Sequence, residues 1–237
     1  MKHLLYIVTF FLLACNTNGK PDTQIAATPP FWKDIQNFKK QDSIHFPPKN
    51  AILFIGSSSF TKWTDVQDYF PGYTIINRGF GGSTLLDQIR YANDIIFPYE
   101  PKQIVIYCGE NDLASSDTVT AEMVVDRFKQ LYKMIRKKTE APIVYVSMKP
   151  SPSRRLLFPK MRRANLMIML FMAEQDPDKM LRSSFYSGPA VFIDVHNKML
   201  NEKSEPIPEI FLEDSLHMNA KGYAIWQKEI QPYLLKD

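Results

Sequence analysis

The chain has 237 residues, of which 45% are hydrophobic and 23% are charged. These proportions are typical of a globular protein, and the length suits one α/β domain that buries a full core. The formal net charge is +4, and the basic residues are interleaved with acidic ones. Because no basic patch is combined with aromatic side chains, we do not expect a nucleic-acid-binding protein.

The N-terminus has the features of an export signal. Met1-Lys2-His3 is followed by an apolar run from Leu4 to Leu13, broken only by Thr9. About ten apolar residues cannot cross a bilayer, which needs about twenty, and a positive start before a short apolar run is typical of a signal peptide. We therefore expect residues 1–14 to be removed on export.

The end of this signal resembles a bacterial lipoprotein processing box, Leu12-Leu13-Ala14-Cys15. In lipoproteins the chain is cut before the cysteine, which then carries lipid. The resemblance implies a protein anchored to a bacterial membrane through Cys15 and facing the periplasm or the cell surface. The alternative is an ordinary cleavage site with an incidental cysteine. Residues 15–30 are polar and contain three prolines, so we expect a flexible tether.

The rest of the chain, residues 31–237, has no break in composition, and we expect it to form one domain. Five apolar runs predict strands at 51–55, 73–77, 103–108, 142–147 and 190–195. Helical spacing predicts helices at 31–38, 84–97, 120–138, 160–172 and 219–234, with a short helix or loop at 60–70. Buried strands that alternate with helices predict an α/β fold with a parallel sheet and right-handed crossovers.

Two further expectations concern the core. The long helix at 120–138 has one apolar stripe, which we expect to face the sheet, and its members are Met123, Val124, Phe128, Leu131, Met134 and Ile135. Cys108 ends the third strand. If Cys15 carries lipid, Cys108 has no intrachain partner, and we expect it to be a small packing residue.

Residues suited to chemistry follow the strands, at the edge where open α/β sheets bind ligands. Gly56 ends the first strand and three serines, Ser57 to Ser59, come next. These serines suit either a nucleophile or a helix cap. Asn111 follows the third strand, and Asp214 and His217 follow the fifth. Acyl transfer needs a nucleophile, a base, a group that orients the base, and donors for the oxyanion, and these residue types supply them.

The ordered set of motifs resembles the SGNH, or GDSL-type, hydrolase superfamily. Its four blocks match Gly56-Ser57-Ser58, Gly82 in an Asn-x-Gly-x-x-Gly setting, Gly109-Glu110-Asn111-Asp112 and Asp214-Ser215-Leu216-His217. The resemblance implies a three-layer α/β/α, flavodoxin-like fold with a five-stranded parallel sheet. It also implies a serine esterase or acylhydrolase with Ser58 as nucleophile, His217 as base and Asp214 as its orienting partner. The implied oxyanion donors are the backbone N–H groups of Ser58 and Gly82 and the side chain of Asn111.

The sequence departs from the family pattern at one position. Ser57 stands where the Gly-Asp-Ser motif has aspartate, as it does in members resembling platelet-activating-factor acetylhydrolase subunits. With three adjacent serines, the nucleophile is the least secure assignment. Residues 149–154 resemble a loop of esterase-like members, for which the simpler interpretation is a proline-rigid loop with a solvated Arg154.

Several alternatives remain open at this point. Asp194 and His196 follow the fifth strand two residues apart and form a rival dyad. The same fold with an inactive site would be a lipoprotein that binds carbohydrate or lipid. A flavodoxin-like cofactor binder and a nucleotide site both lack a phosphate loop. His3 and His45 have no ligand neighbours, so we expect no metal site and no cofactor, only an ester substrate such as an acetylated sugar or a lipid, with no obligatory protein partner.

Overall fold

The computed structural model describes residues 28–176 and 188–237. The core of this part is a five-stranded parallel sheet with the strand order β2-β1-β3-β4-β5. The strands are β1 (Ile52–Gly56), β2 (Ile75–Gly79), β3 (Gln103–Tyr107), β4 (Ile143–Val146) and β5 (Ala190–Ile193). All five predicted strands are confirmed, with β2 beginning later than expected. The expected signal peptide, Cys15 and most of the expected tether lie outside the described residues.

Helices cover both faces of the sheet. The α-helices of the described residues are α1 (Trp32–Ile44), α2 (Ser58–Thr61), α3 (Val66–Tyr69), α4 (Leu85–Arg90), α5 (Ala92–Ile95), α6 (Glu110–Ala114), α7 (Ala121–Arg136), α8 (Phe158–Glu174) and α9 (Ala220–Ile230). Short 3₁₀ turns lie at Phe97–Tyr99, Pro152–Leu157, Asn197–Met199, Pro208–Ile210 and Gln231–Tyr233. No helix in these two ranges is both long and apolar enough to span a bilayer.

Strand residues alternate between two hydrophobic clusters, one on each face. In β1, Leu53 and Ile55 belong to the cluster that α1, α4, α5, α7 and α8 complete, whereas Ile52 and Phe54 belong to the cluster that α2, α3 and α9 complete. Because each strand is buried on both faces, its sequence is a continuous apolar run. The predicted three-layer α/β/α architecture is confirmed.

Three details differ from the sequence-based expectations. The helix expected at 84–97 is divided, because Tyr91 has non-helical dihedral angles (φ −102°, ψ 10°) between α4 and α5, and Pro98 lies in the 3₁₀ turn that follows. α1 is longer than expected and buries only Ile35. In α7, Met123 is 41% exposed, because it lies one residue away from the stripe that buries Val124, and Met134 is half-buried.

Other expectations agree with the structure. Cys108 is a free, buried thiol that belongs to the hydrophobic core, as predicted for a packing residue. Thr120 caps α7 by accepting a hydrogen bond from the backbone N–H of Met123. Asn219 caps α9 by accepting from the N–H groups of Lys221 and Gly222. These caps fix where both helices begin, and α9 begins three residues after His217.

Candidate active site

The serine turn begins at Gly56, the last residue of β1. Its φ of +142° lies in a region that L side chains rarely adopt, and a Cβ atom there would lie 1.9 Å from the Tyr107 carbonyl oxygen of β3. Only glycine therefore allows the chain to leave the sheet at this point. The Ser57 N–H donates to the same carbonyl oxygen at 3.1 Å, and α2 begins at the next residue, Ser58.

The three serines differ in accessibility. Ser57 is 3% exposed and Ser59 is 1% exposed, whereas Ser58 is half-buried. Ser57 occupies the position before α2, but its side chain makes no capping hydrogen bond, so capping does not explain why serine is present there. Of the three hydroxyls, that of Ser58 is the one placed to meet a substrate.

A glycine loop after β2 lies beside Ser58. The Phe80 N–H and the Ser83 hydroxyl both donate to the Gly56 carbonyl oxygen, at 2.9 and 3.1 Å. A Cβ atom at Gly81 would lie 3.8 Å from the Ser58 Cβ, so the loop backbone runs next to this serine. Gly82 is exposed with a φ of +84°, and its N–H donates to no group in the described part of the chain. This N–H is free to bind a ligand.

Asn111 approaches the same loop from the third strand exit. It is half-buried in the first turn of α6, and its side-chain amide donates to the Ser83 carbonyl oxygen at 3.0 Å. A primary amide has two N–H groups, so the second remains after this bond. The structure therefore places an amide donor beside the glycine loop, where the sequence predicted one.

Asp214 and His217 form a dyad within one turn. The His217 Nδ1 lies 2.6 Å from the Asp214 Oδ2, and the other carboxylate oxygen accepts the N–H groups of Leu216 and His217 at 3.0 and 2.9 Å. Ser215 adopts a left-handed conformation with a φ of +54°, which folds the turn back on itself. Hydrogen bonds from His217 lower the pKa of the Asp214 carboxyl below its usual range. The dyad leaves the Nε2 atom of His217 for another partner.

The histidine turn and the serine turn are joined through α9. The Tyr223 hydroxyl of this helix donates to the Ser59 carbonyl oxygen at 2.9 Å. The Tyr223 ring stacks on Trp63, just after α2, with 4.7 Å between ring centroids. Because α9 begins soon after His217, these contacts hold the elements that carry the base and the serine together.

Sequence comparison agrees with this arrangement. The GDSL-like lipase/acylhydrolase family matches residues 55–225. The chain belongs to this family. The matched range contains Ser58, Gly82, Asn111, Asp214 and His217, so it covers the whole predicted constellation. No curated protein sequence matches the chain.

Solved structures with the same fold include two hydrolases. A protein from Streptococcus pneumonia named for platelet activating factor has a TM-score of 0.67 at 18% identity, over 86% of this chain and 92% of that one. A GDSL-like lipase from Bacteroides thetaiotaomicron has 0.65 at 17%, over 83% and 95%. An acetylxylan esterase from Geobacillus stearothermophilus has 0.60 at 13%, over 80% and 96%. These likenesses show the flavodoxin-like fold of the SGNH superfamily.

A buried ionic cluster next to Asn111 was not predicted. The Glu110 Oε2 atom accepts hydrogen bonds from the Tyr107 hydroxyl at 2.6 Å and from the Lys149 Nζ at 2.8 Å. Burial, followed by the charge of Glu110, raises the pKa of Tyr107 well above its usual value. Lys149 is 1% exposed, although its place before two prolines indicated a surface loop. A charged residue in a loop carries no sequence signal of burial, because its partner lies 39 positions away.

The second acid of the third block has a structural role. Asp112 is fully buried, and its carboxylate accepts the Leu85 N–H and an Arg127 guanidinium N–H, each at 2.9 Å. Burial is the largest influence on this carboxyl and raises its pKa. Asp112 therefore ties α6 to α4 and α7, and the glycine loop that precedes α4 is fixed through it.

The rival dyad of Asp194 and His196 is not formed. The Asp194 carboxylate accepts the backbone and side-chain N–H groups of Asn197, at 3.1 and 2.5 Å. His196 is 3% exposed, and its Nδ1 lies 2.9 Å from the Met148 carbonyl oxygen. The residues described also contain no group of three or more His, Cys, Asp or Glu side chains that could hold a metal ion. The chemistry of the site thus falls to Ser58, His217 and their neighbours.

Proposed function

We propose that the protein is a serine esterase that cleaves a carboxylic ester through an acyl-enzyme intermediate. Family membership supports ester hydrolysis in general. The observation that carries the finer proposal is the 2.6 Å contact between His217 Nδ1 and Asp214 Oδ2, at an exposed turn tied to the serine helix. A histidine held at Nδ1 by a carboxylate has its Nε2 lone pair available as a general base.

In the proposed reaction, the Ser58 hydroxyl attacks the ester carbonyl carbon and its proton passes to His217 Nε2. Asp214 stabilises the imidazolium that forms. The negative oxygen of the tetrahedral intermediate receives hydrogen bonds from the Ser58 and Gly82 N–H groups and from the Asn111 amide. His217 then protonates the leaving alcohol, and a water molecule releases the acid from Ser58 by the same steps.

We propose acetyl esters of carbohydrates or lipids as the substrate class. An acetylxylan esterase and a lipase are among the proteins with this fold, which makes acetyl esters the first compounds to test. The test is hydrolysis of acetylated xylan, acetylated peptidoglycan, a lysophospholipid and p-nitrophenyl esters of rising chain length. Ser58→Ala is expected to abolish turnover, and the buried neighbour Ser57→Ala is the matched control. A folded protein that hydrolyses no ester would instead support the inactive, ligand-binding alternative.

We also propose that lipid on Cys15 anchors the domain to a bacterial membrane, facing the periplasm or the cell surface. The support is the apolar run that ends at Leu-Leu-Ala-Cys, after which a polar stretch leads to the domain. Cys15→Ser is expected to move the protein from the membrane fraction to the soluble fraction, while Cys108→Ala is expected to leave it membrane-bound. An N-terminus that is uncut and free of lipid by mass spectrometry would contradict this proposal.

A further inference from the structure

Arg154 lies in the segment that packs on the histidine turn. Its N–H donates to the Ser151 carbonyl oxygen at 2.9 Å, and the preceding N–H, that of Ser153, donates to the Ser215 carbonyl oxygen at 3.0 Å. Ser215 stands between Asp214 and His217 in the chain. The Arg154 backbone is therefore fixed one residue away from a direct contact with the dyad turn.

The nearest acid to Arg154 is already occupied. The Arg154 Nε lies 3.9 Å from the Glu110 Oε1, which is too long for a hydrogen bond. That carboxylate already accepts hydrogen bonds from Tyr107, Lys149 and Ser151. One carboxylate thus faces two cations, so the cluster has one positive charge in excess, and Lys149 has the closer contact.

The Arg154 guanidinium is partly buried and lacks an acceptor. Its side chain is 31% exposed, yet the Nε atom is inaccessible to solvent and has no hydrogen-bond partner. No nitrogen of this guanidinium donates to any group in the described ranges. The next residue, Arg155, differs, because its guanidinium is 2.5 Å from the Glu205 carboxylate. An arginine that lacks its acceptor beside a reactive turn is suited to receive a ligand oxyanion, which can accept two parallel N–H groups.

We propose that Arg154 binds a carboxylate or phosphate group carried by the ester substrate, so that the enzyme prefers anionic esters over neutral ones. This inference rests on the proposed esterase function and adds a charge requirement to it. The Glu110–Lys149 pair holds the guanidinium in place without neutralising it. Arg154 is in this sense a specificity-determining residue, since it contacts a part of the substrate that does not react.

The test compares acetates that differ in one substituent. 4-Acetoxybenzoate carries a carboxylate, 4-acetoxyphenyl phosphate carries a phosphate, and 4-acetoxybenzamide is the neutral control. We expect kcat/KM to be higher for at least one anionic ester than for the amide. Arg154→Ala should lower that ratio about tenfold or more, as expected for a hydrogen bond to a charged group. The preference should also weaken with added salt, because the charged site is partly exposed.

Two variants sharpen the result. Arg154→Lys should retain part of the preference, because it keeps the charge but loses the paired N–H geometry. Arg155→Ala removes the neighbouring, paired arginine and should leave the ratio unchanged. If Arg154→Ala fails to fold, Arg154→Gln replaces it in the same comparison. Wild-type hydrolysis of the amide with no preference for either anion would overturn this inference alone. Absence of hydrolysis of all three compounds and of simpler acetates would overturn it together with the esterase proposal.

Discussion

The two Asp–His pairs of this protein have opposite environments. Asp214 and His217 meet at 2.6 Å on an exposed turn, with the Asp214 side chain 47% exposed and the His217 side chain 15% exposed. Asp194 and His196 are closer in sequence but do not meet, because the carboxylate bonds to Asn197 and the imidazole points into the core. Proximity in sequence alone therefore does not make a dyad.

Backbone geometry explains the difference. The expectation for Asp194 and His196 assumed that the strand continues, so that residues two apart share a face. β5 ends at Ile193 instead, and His196 has helical dihedral angles (φ −58°, ψ −55°). In the other pair, the left-handed Ser215 reverses the chain, so that the Asp214 carboxylate accepts from both the backbone and the ring of His217. A local turn, and not strand alternation, makes the dyad.

The largest expected effect separates the two histidines by activity. His217→Ala should lower kcat/KM by 10²–10⁴-fold or more, because a positioned general base contributes on that order. His196→Ala should keep kcat/KM per folded molecule, but lower the free energy of unfolding by about 1–3 kcal/mol, because it leaves the Met148 carbonyl oxygen without this partner. Ester kinetics and urea unfolding of both variants check this. The reverse pattern would assign the base to His196.

The second prediction separates the two aspartates. Asp214→Asn should lower kcat by about 10²–10⁴-fold, since the amide can still accept a backbone N–H but cannot stabilise an imidazolium. Asp194→Asn, the matched control, should change kcat little. Because hydrogen bonds lower the pKa of Asp214, its carboxylate stays charged at and above about pH 4, the usual aspartate value. The rise of kcat/KM with pH should therefore show no step from this group, and such a step near neutral pH would contradict the structure.

The third prediction concerns the oxyanion donor. Asn111→Ala should lower kcat by about 10²–10³-fold with little change in KM, because the donor binds charge that exists only in the transition state. The same change also removes the bond to the Ser83 carbonyl oxygen. Gln88→Ala is therefore the control, because it removes another contact to this loop, at the Ser83 hydroxyl, without removing an oxyanion donor. Equal losses in the two variants would mean that Asn111 acts only by holding the loop.

The smallest effect is on stability and arises at His196. Burial lowers its pKa and the charge of Arg162 acts in the same direction, whereas the Met148 carbonyl and the charges of Asp194 and Glu110 oppose them. A histidine whose folded pKa is lowered binds fewer protons in the folded state than in the unfolded state. Stability should therefore be complete above the unfolded value of about 6.5 and decline as the pH falls below it. The Tm of His196→Gln should fall less between pH 7.5 and 5.5 than that of the wild type, and equal slopes would contradict this.

The parts of this molecule that the sequence predicts are those with local signals. The five strands are apolar runs, the caps at Thr120 and Asn219 precede helical patterns, and the Asp214–His217 dyad lies within one turn. Local spacing is also why the rival pair could not be excluded before the end of β5 was known.

The parts that could not be predicted depend on contacts between distant positions. Lys149 is buried only because Glu110 and Tyr107 lie above the same strand ends, and Arg154 is not fully solvated because it adjoins that cluster. The split between α4 and α5 depends on the dihedral angles of Tyr91, for which the sequence has no glycine or proline signal. Which of three adjacent serines is accessible is likewise decided by packing against β3 and α9.

The most direct test of the proposed active site is to find which serine reacts with a fluorophosphonate. Such a probe forms a covalent bond with an activated serine hydroxyl, and peptide mapping by mass spectrometry identifies the residue. We expect the label on Ser58 in the wild type, no label in Ser58→Ala, and much slower labelling in His217→Ala, whereas His196→Ala should label at the wild-type rate. A label on Ser57 or Ser59, or no label on folded wild-type protein, would contradict the central claim that Ser58 and His217 form the catalytic pair.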